Sequence, residues 1–303
     1  MFCTDAREPV SSRGDASAEA KRVPGARGTL TTPMSELELT ARLARPDDYG
    51  TFARLVEELG TDDPVLPEDR WVAELMPITW IFERHGEVAG YIFAQTMNTT
   101  GYVRHLVVAP EHRGVGVGGA IMRFMARELR ARGCDSWCLN VKPENTPAVR
   151  LYTRCGMRHR HDSLSLRMRW DAELPREGGV EARAVDAHED ALVEETFGLH
   201  SGQLASQRTR RGRRLIARWD GSECVGFACF DPHLGGAMPF SVKRVSLAGD
   251  LLDAMRSYAQ PGGEFVRLVV EGDESFEALI RSAGGEALLA IAHMAGPIPH
   301  EST

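Results

Sequence analysis

The stretch "HRGVGVGGA", His112 to Ala120, decides how this sequence is read. Gly114, Gly116, Gly118 and Gly119 crowd into it, directly before the amphipathic run "IMRFMARELRARG". Gly114, Gly116 and Gly119 satisfy G-x-G-x-x-G, the spacing of a dinucleotide loop. A P-loop needs Lys and then Ser or Thr after its last glycine. Here Ala120 and Ile121 follow Gly119, so that class is excluded. A dinucleotide loop needs a parallel βαβ unit and an acidic residue about 20 positions on. The next expected strand ends near Asn140, which is not acidic. What precedes the loop also lacks crossover helices. A third description starts one residue earlier: Arg113-Gly114-Val115-Gly116-Val117-Gly118 is R-x-x-G-x-G between a strand and a helix. Such a loop aims unpaired backbone N–H groups and the positive end of a helix dipole at an anion. Its glycines let the backbone approach a pyrophosphate closely.

The surroundings place this loop in a mixed α/β pattern. "LELTARLA" (37–44) alternates as a strand, and "RPDDYGTFARLVEEL" reads as a helix with Asp47 or Asp48 near its cap. Residues 61–77 hold three prolines around a helical middle and read as a mobile or substrate-facing connection. "TWIFERHGEVAGYIFAQTM" (79–97) is two strands around His85-Gly86, and "GYVRHLVVAP" (101–110) is a third. With no helices between them these strands form an antiparallel meander. A helix is expected over 116–133 and a strand over 135–143. A helix capped by Asn145 and closed by Gly156 follows, then a last strand over 162–170. "RHRH" (158–161) reads as a turn before that strand.

The chain of 303 residues allows two units of about 150. Residues 1–35, rich in Ser, Gly, Ala, Arg and Pro, read as a disordered tail, and Met34 is an alternative start. Residues 36–170 form the first domain, 171–179 a linker, and 180–299 a second domain repeating the layout. "CLNVKPENTPAVRLYTRCGM" and "RLVVEGDESFEALIRSAGGE" both run strand, polar turn, short helix, glycine. A duplicated fold explains this.

Hydrophobic residues at 43% and charged residues at 26% fit a soluble globular protein. The net charge of -7 argues against a dedicated nucleic-acid binder. No apolar run reaches bilayer length, and the first residues lack the apolar segment of a signal peptide. Cys3, Cys134, Cys138, Cys155, Cys224 and Cys229 form no C-x-x-C, and no His pair completes a zinc spacing. The expectation is buried, reduced thiols in a cytoplasmic protein without a metal.

Residues 37–170 resemble a GNAT-type acetyltransferase. "HLVVAPEHRGVGVGGAIMRFM" resembles the family's main cofactor motif, and "LNVKPENTPAVRLYTRCGM" the motif that follows it. The resemblance covers nearly half the chain. It implies two tandem GNAT-like domains, the first intact and the second degenerate. It also implies acetyl-CoA as co-substrate and an amine-bearing acceptor, small molecule or protein. Leu106, Val107 and Val108 match the strand that pairs with the pantetheine arm, beside which the family's strands splay. An amide-bearing arm takes hydrogen bonds that an edge strand leaves open. A backbone N–H near Val108 would polarise the thioester carbonyl. Arg113, Gly114, Val115, Gly116, Val117 and Gly118, with Gly119 behind them, match the pyrophosphate loop. Asn145 matches a residue that bonds the pantetheine arm, and it also serves as a plain helix cap. Tyr152, two turns along the same helix face, matches the residue that protonates the leaving thiolate. A buried aromatic is its ordinary alternative.

The family's base, often a glutamate on this strand, has no counterpart. Strand alternation puts Tyr102 and Arg104 on one face and His105 on the other. His105, Glu111, Glu83, Asp63 or water remain candidates for accepting the amine proton. The second half lacks R-x-x-G-x-G, and Gly249 alone cannot present a row of N–H groups. Residues 180–298 are therefore expected not to bind coenzyme A and instead to shape the acceptor pocket. "RTRRGRR" (208–214) reads as a solvated loop before a strand. A sensor that binds acetyl-CoA without turnover is the rival from another class. The oligomeric state is open.

Overall fold

The computed structural model describes residues 37–60, 65–179 and 181–299. The expected tail (1–35), Met34 and Asp63 lie outside the described residues. The first half opens with strand β1 (Leu39–Leu43) and helices α1 (Tyr49–Val56) and α2 (Glu68–Glu74). The meander β2 (Thr79–Arg84), β3 (Glu87–Met97) and β4 (Thr100–Val108) follows, antiparallel throughout. Then come α3 (Val117–Ala131), β5 (Ser136–Val141), α4 (Thr146–Arg154) and β6 (Arg158–Arg169). Helix α3 forms because Val117, Ala120, Ile121, Phe124, Met125 and Leu129 recur at helical spacing and are all buried. Asn145 caps α4, accepting from the Ala148 N–H at 3.2 Å, and Gly156 ends it at φ +85°.

The second half runs β7 (Glu181–Ala184), α5 (Asp190–Thr196), α6 (Gln203–Arg208), β8 (Arg214–Asp220), β9 (Glu223–Asp231) and β10 (Gly236–Val242). It ends with α7 (Ala248–Arg256), β11 (Phe265–Glu271), α8 (Glu274–Ser282) and β12 (Glu286–Pro297). The repeat of layout expected from the sequence is present.

The two halves share one sheet, in the order β1-β2-β3-β4-β5-β12-β6-β11-β10-β9-β8-β7. Their last strands have changed places. The final strand β12 pairs with β5 of the first half, while β6 pairs with β11 of the second. The two exchanged strands also pair with each other. The cores follow: Ala292, Met294 and Ile298 pack with α3 and β5, whereas Leu166, Met168 and Trp170 pack with α7 and β11. A division at 171–179 follows the chain order of the repeat, and the sheet runs across it.

Two basic stretches differ from their expectation. "RHRH" is not a turn. Arg158, His159 and His161 pair with Ala295, Met294 and His293, so β12 supplies the ladder that lengthens β6 by four residues. "RTRRGRR" does turn into β8 with Arg208, Arg211 and Arg214 exposed, but it is only partly solvated. Arg208 pairs with Asp190, Arg213 lies 3.5 Å from Asp231 with both side chains largely buried, and Arg214 lies over the Tyr258 ring. Burial pulls the Arg210 guanidinium down to about 9. No helix among the described residues is long and apolar enough to cross a membrane.

Candidate functional site

The site is built on a strand that loses its neighbour. Strand β4 pairs with β5 in parallel only from Thr100↔Ser136 to Val103↔Leu139. Beyond Val103 the two diverge, while β4 stays paired to β3 as far as Val108. One edge of residues 104–108 therefore has no ladder partner among the described residues. Leu106 and Val108 turn toward the core under α3, and Val107 packs on the opposite face.

At the end of β4 the chain turns through Pro110, with His112 N–H bonded to the Ala109 carbonyl and Arg113 N–H to that of Pro110. Gly114 and Gly116 then adopt left-handed backbone, φ +79° and +94°, which glycine alone adopts without strain. The first intrahelical bond of α3 runs from Ala120 N–H to the Gly116 carbonyl. The N–H groups of 114–119 have no acceptor among the described residues. They sit at the positive end of a fifteen-residue helix, an arrangement that holds an anion. At Gly118 a Cβ would lie 3.2 Å from Leu151, so its absence keeps the helix start close to α4. The Arg113 side chain donates to the Val108 carbonyl at 3.0 Å and to Glu58 at 2.7 Å. It thus clamps the loop to the end of β4. Val115 is exposed at the loop tip, and Val117 is buried beneath it.

Tyr152, on α4, lies in the same core as Val117, a core against which Leu106 and Val108 also pack. Its hydroxyl has no partner among the described residues, and burial pushes it up to about 12. The phenol therefore stays protonated at neutral pH. Asn145 is exposed at the start of α4, where its cap bond is formed. Cys155 is half-buried, with its thiol raised by burial.

The base candidates separate. A bulge at Arg104 breaks the alternation, because β4 slips by one residue opposite Phe93 and Ala94. Val103 and Leu106 both face the α3 core, so the residues between them both turn away from it. His105 is thus on the same side as Arg104, not opposite it. Its Nδ1 lies 3.0 Å from the Tyr91 hydroxyl, its ring packs 4.5 Å from Phe93, and burial lowers it to about 3. Glu83 is paired with Arg42 at 2.8 Å. Glu111 is exposed on the loop.

The cavity beside this strand was invisible in the sequence. It begins at Tyr102 and Arg104, where β4 and β5 part, and has a volume of about 210 Å3. Both halves line it. Arg104 lies 4.8 Å over the Tyr102 ring at its first-half end. His161 and His293 stack across β6 and β12 at 4.7 Å, and His200 lies 5.6 Å from His293. Burial lowers His293 to about 3 and raises Glu271, which lies 3.9 Å from His161. Residues 140, 161, 200, 271 and 293 have no spacing in common; the strand exchange brings them together.

The second half repeats the splay and fills the adjoining position with protein. Strands β10 and β11 pair only through Gly236 and Ala237. At the start of α7, Gly249 N–H donates to the Pro175 carbonyl at 2.9 Å. A Cβ there would lie 2.8 Å from the carbonyls of Leu174 and Pro175. Glu177 of the same linker accepts from Ser246 and from Arg244, the latter at 2.8 Å. The linker thus covers the helix start that corresponds to the Gly114–Gly119 loop.

Comparison with known proteins agrees with this geometry. The family model described as "Acetyltransferase (GNAT) family" matches residues 45–157. A GCN5-related N-acetyltransferase from Sphaerobacter thermophilus superposes with a TM-score of 0.61 at 20% identity, over 86% of this chain and 96% of that one. A tandem GNAT protein from the clavulanic acid biosynthesis pathway gives 0.56 at 16%, over 88% and 100%. A GCN5-related N-acetyltransferase from Anabaena variabilis gives 0.51 at 12%, over 85% and 72%. At these identities the likeness is one of fold. Residues 45–157 thus match the model of the GNAT acetyltransferase family, and the chain as a whole has a tandem GNAT fold.

Proposed function

We propose that the protein is an acetyl-CoA-dependent N-acetyltransferase with one working cofactor site, in its first half. The open edge of β4 beside the left-handed glycine loop carries this reading. A pantetheine arm lies along Leu106–Val108, and its pyrophosphate meets the N–H groups of Gly114–Gly119. Asn145 bonds the arm from the start of α4. The second half does not bind the cofactor, because residues 174–177 cover the start of α7. It closes the acceptor cavity instead.

An amine entering the cavity past Arg104 attacks the thioester carbonyl, which a backbone N–H near Val108 polarises. A C–N bond forms and the C–S bond breaks. The neutral Tyr152 hydroxyl gives its proton to the departing thiolate. The amine proton leaves through cavity water, since His105 is bonded to Tyr91 and burial leaves its imidazole too weak a base to take that proton. The cavity volume accommodates a small amine.

One observation favours the rival reading, a sensor that binds acetyl-CoA without turnover: β4 offers the slot no carboxylate. A panel of amines assayed by release of free thiol decides between them. Steady release with one amine class supports the enzyme. Tight cofactor binding with no release across the panel supports the sensor, and no binding removes both.

A further inference from the structure

The strand exchange brings together three donor side chains that the acetyl-transfer reading leaves unused. Strand β5 carries Cys138, β12 carries His293, and the turn before α6 carries His200. One donor atom from each lies within 4.8 Å of the other two. Cys138 and His293 are buried, and His200 is half-buried. The Cys138 thiol and the His200 ring form no hydrogen bond with the described residues. His293 Nδ1 lies 2.8 Å from the Asn140 side-chain oxygen. That oxygen is an acceptor, so Nδ1 carries the proton and Nε2 keeps a free lone pair. An outer bond of this kind fixes the tautomer and plane of metal-binding imidazoles. Stacked His161 holds the same ring from its face.

We propose that Cys138, His200 and His293 bind a zinc-class divalent ion whose fourth position opens into the cavity. One sulfur and two imidazole nitrogens suit zinc; magnesium and calcium prefer oxygen donors. Tetrahedral zinc with bonds of about 2.0–2.3 Å needs donors roughly 3.3–3.7 Å apart, so Cys138 and His200 would close on the held His293 ring. The cavity, which both His200 and His293 line, gives water or an acceptor group access to the open position. The ligands lie on strands of both halves and on the approach to α6. The ion therefore ties the exchanged strand β12 to β5. No sequence spacing reveals the set, because its members are far apart in the chain.

The test uses the full-length protein, stripped with a chelator, dialysed and titrated with Zn2+ by calorimetry. The expected result is one ion per chain. Proton release on binding is also expected, because Cys138 must become a thiolate. Titration with Co2+ should give tetrahedral visible bands and a near-ultraviolet thiolate band. Cys138→Ser should abolish the thiolate band, and His200→Ala should weaken Zn2+ binding at least tenfold. His200 is half-buried outside the core clusters, so its variant keeps the fold, which circular dichroism checks. Absence of one-to-one binding overturns the proposal, as does unchanged affinity in both variants. Both readouts are independent of acetyl transfer.

Discussion

The Nδ1 atom of His293 lies 2.8 Å from the side-chain oxygen of Asn140, 153 residues earlier in the chain. This contact joins the last strand of the chain to the first half. The first-half core is therefore incomplete without β12. Met294, 3% exposed, packs there with Leu139 and Trp137. Met294→Ala should cost about 2–5 kcal/mol, read as a shift in denaturant midpoint. A protease site placed at Gly178-Gly179 should yield a cut chain that still elutes as one particle. Two separate folded fragments would contradict the exchange.

Gly116 holds φ +94°, and a Cβ there would meet only Leu37, at 3.7 Å. Space is therefore not the constraint; backbone conformation is. Gly116→Val should cost about 1–2 kcal/mol in stability, the usual penalty of left-handed backbone. Relief of that strain would turn N–H groups away from the anion. Coenzyme A affinity should then fall at least tenfold, as measured by calorimetry. Unchanged affinity would remove the pyrophosphate assignment.

Tyr152 is held up at about 12 by burial, against an ordinary value of 10.0. The raised value means that the folded state keeps its proton where the unfolded chain would lose it. The stability from this group is complete below pH 10 and declines as pH rises toward 12. In the proposed reaction the acid is then available throughout the neutral range. Tyr152→Phe should lower kcat by about 100-fold or more with little change in binding of coenzyme A. A variant rate within twofold of the parent would end its role as proton donor.

His105 moves in the opposite direction, from 6.5 to about 3. It stays neutral in the folded chain where an unfolded histidine would take up a proton. Its contribution is therefore present above pH 6.5 and is lost as pH falls toward 3. His105→Ala leaves the Tyr91 hydroxyl without its partner and should cost about 1–3 kcal/mol at pH 7. The initial rate per folded molecule should change by no more than a few fold. A hundredfold loss with stability intact would make His105 the base.

Local features of the site were legible in the sequence because local chemistry dictates them. Gly114 and Gly116 announce left-handed turns, Asn145 announces a cap, and the buried positions of α3 show in its period. Alternation failed at Arg104, where a one-residue bulge reverses the side on which His105 lies. A bulge depends on the partner strand, and the sequence of β4 alone does not contain it. "RHRH" failed for the same reason: four polar residues extend as strand only because β12 lies beside them.

By itself the sequence determined the two α/β repeats, the left-handed glycine loop and its absence from the second half. Each is a matter of residue type at short range, where periodicity and backbone freedom act. Tertiary structure alone decided which half each last strand completes. Both halves offer an open antiparallel edge to a long terminal strand, and hydrogen bonding does not distinguish β6 from β12. Side-chain packing does: Leu166, Met168 and Trp170 fill the second core, and Ala292, Met294 and Ile298 the first. That choice creates the central cavity and sets Cys138, His200 and His293 around one point.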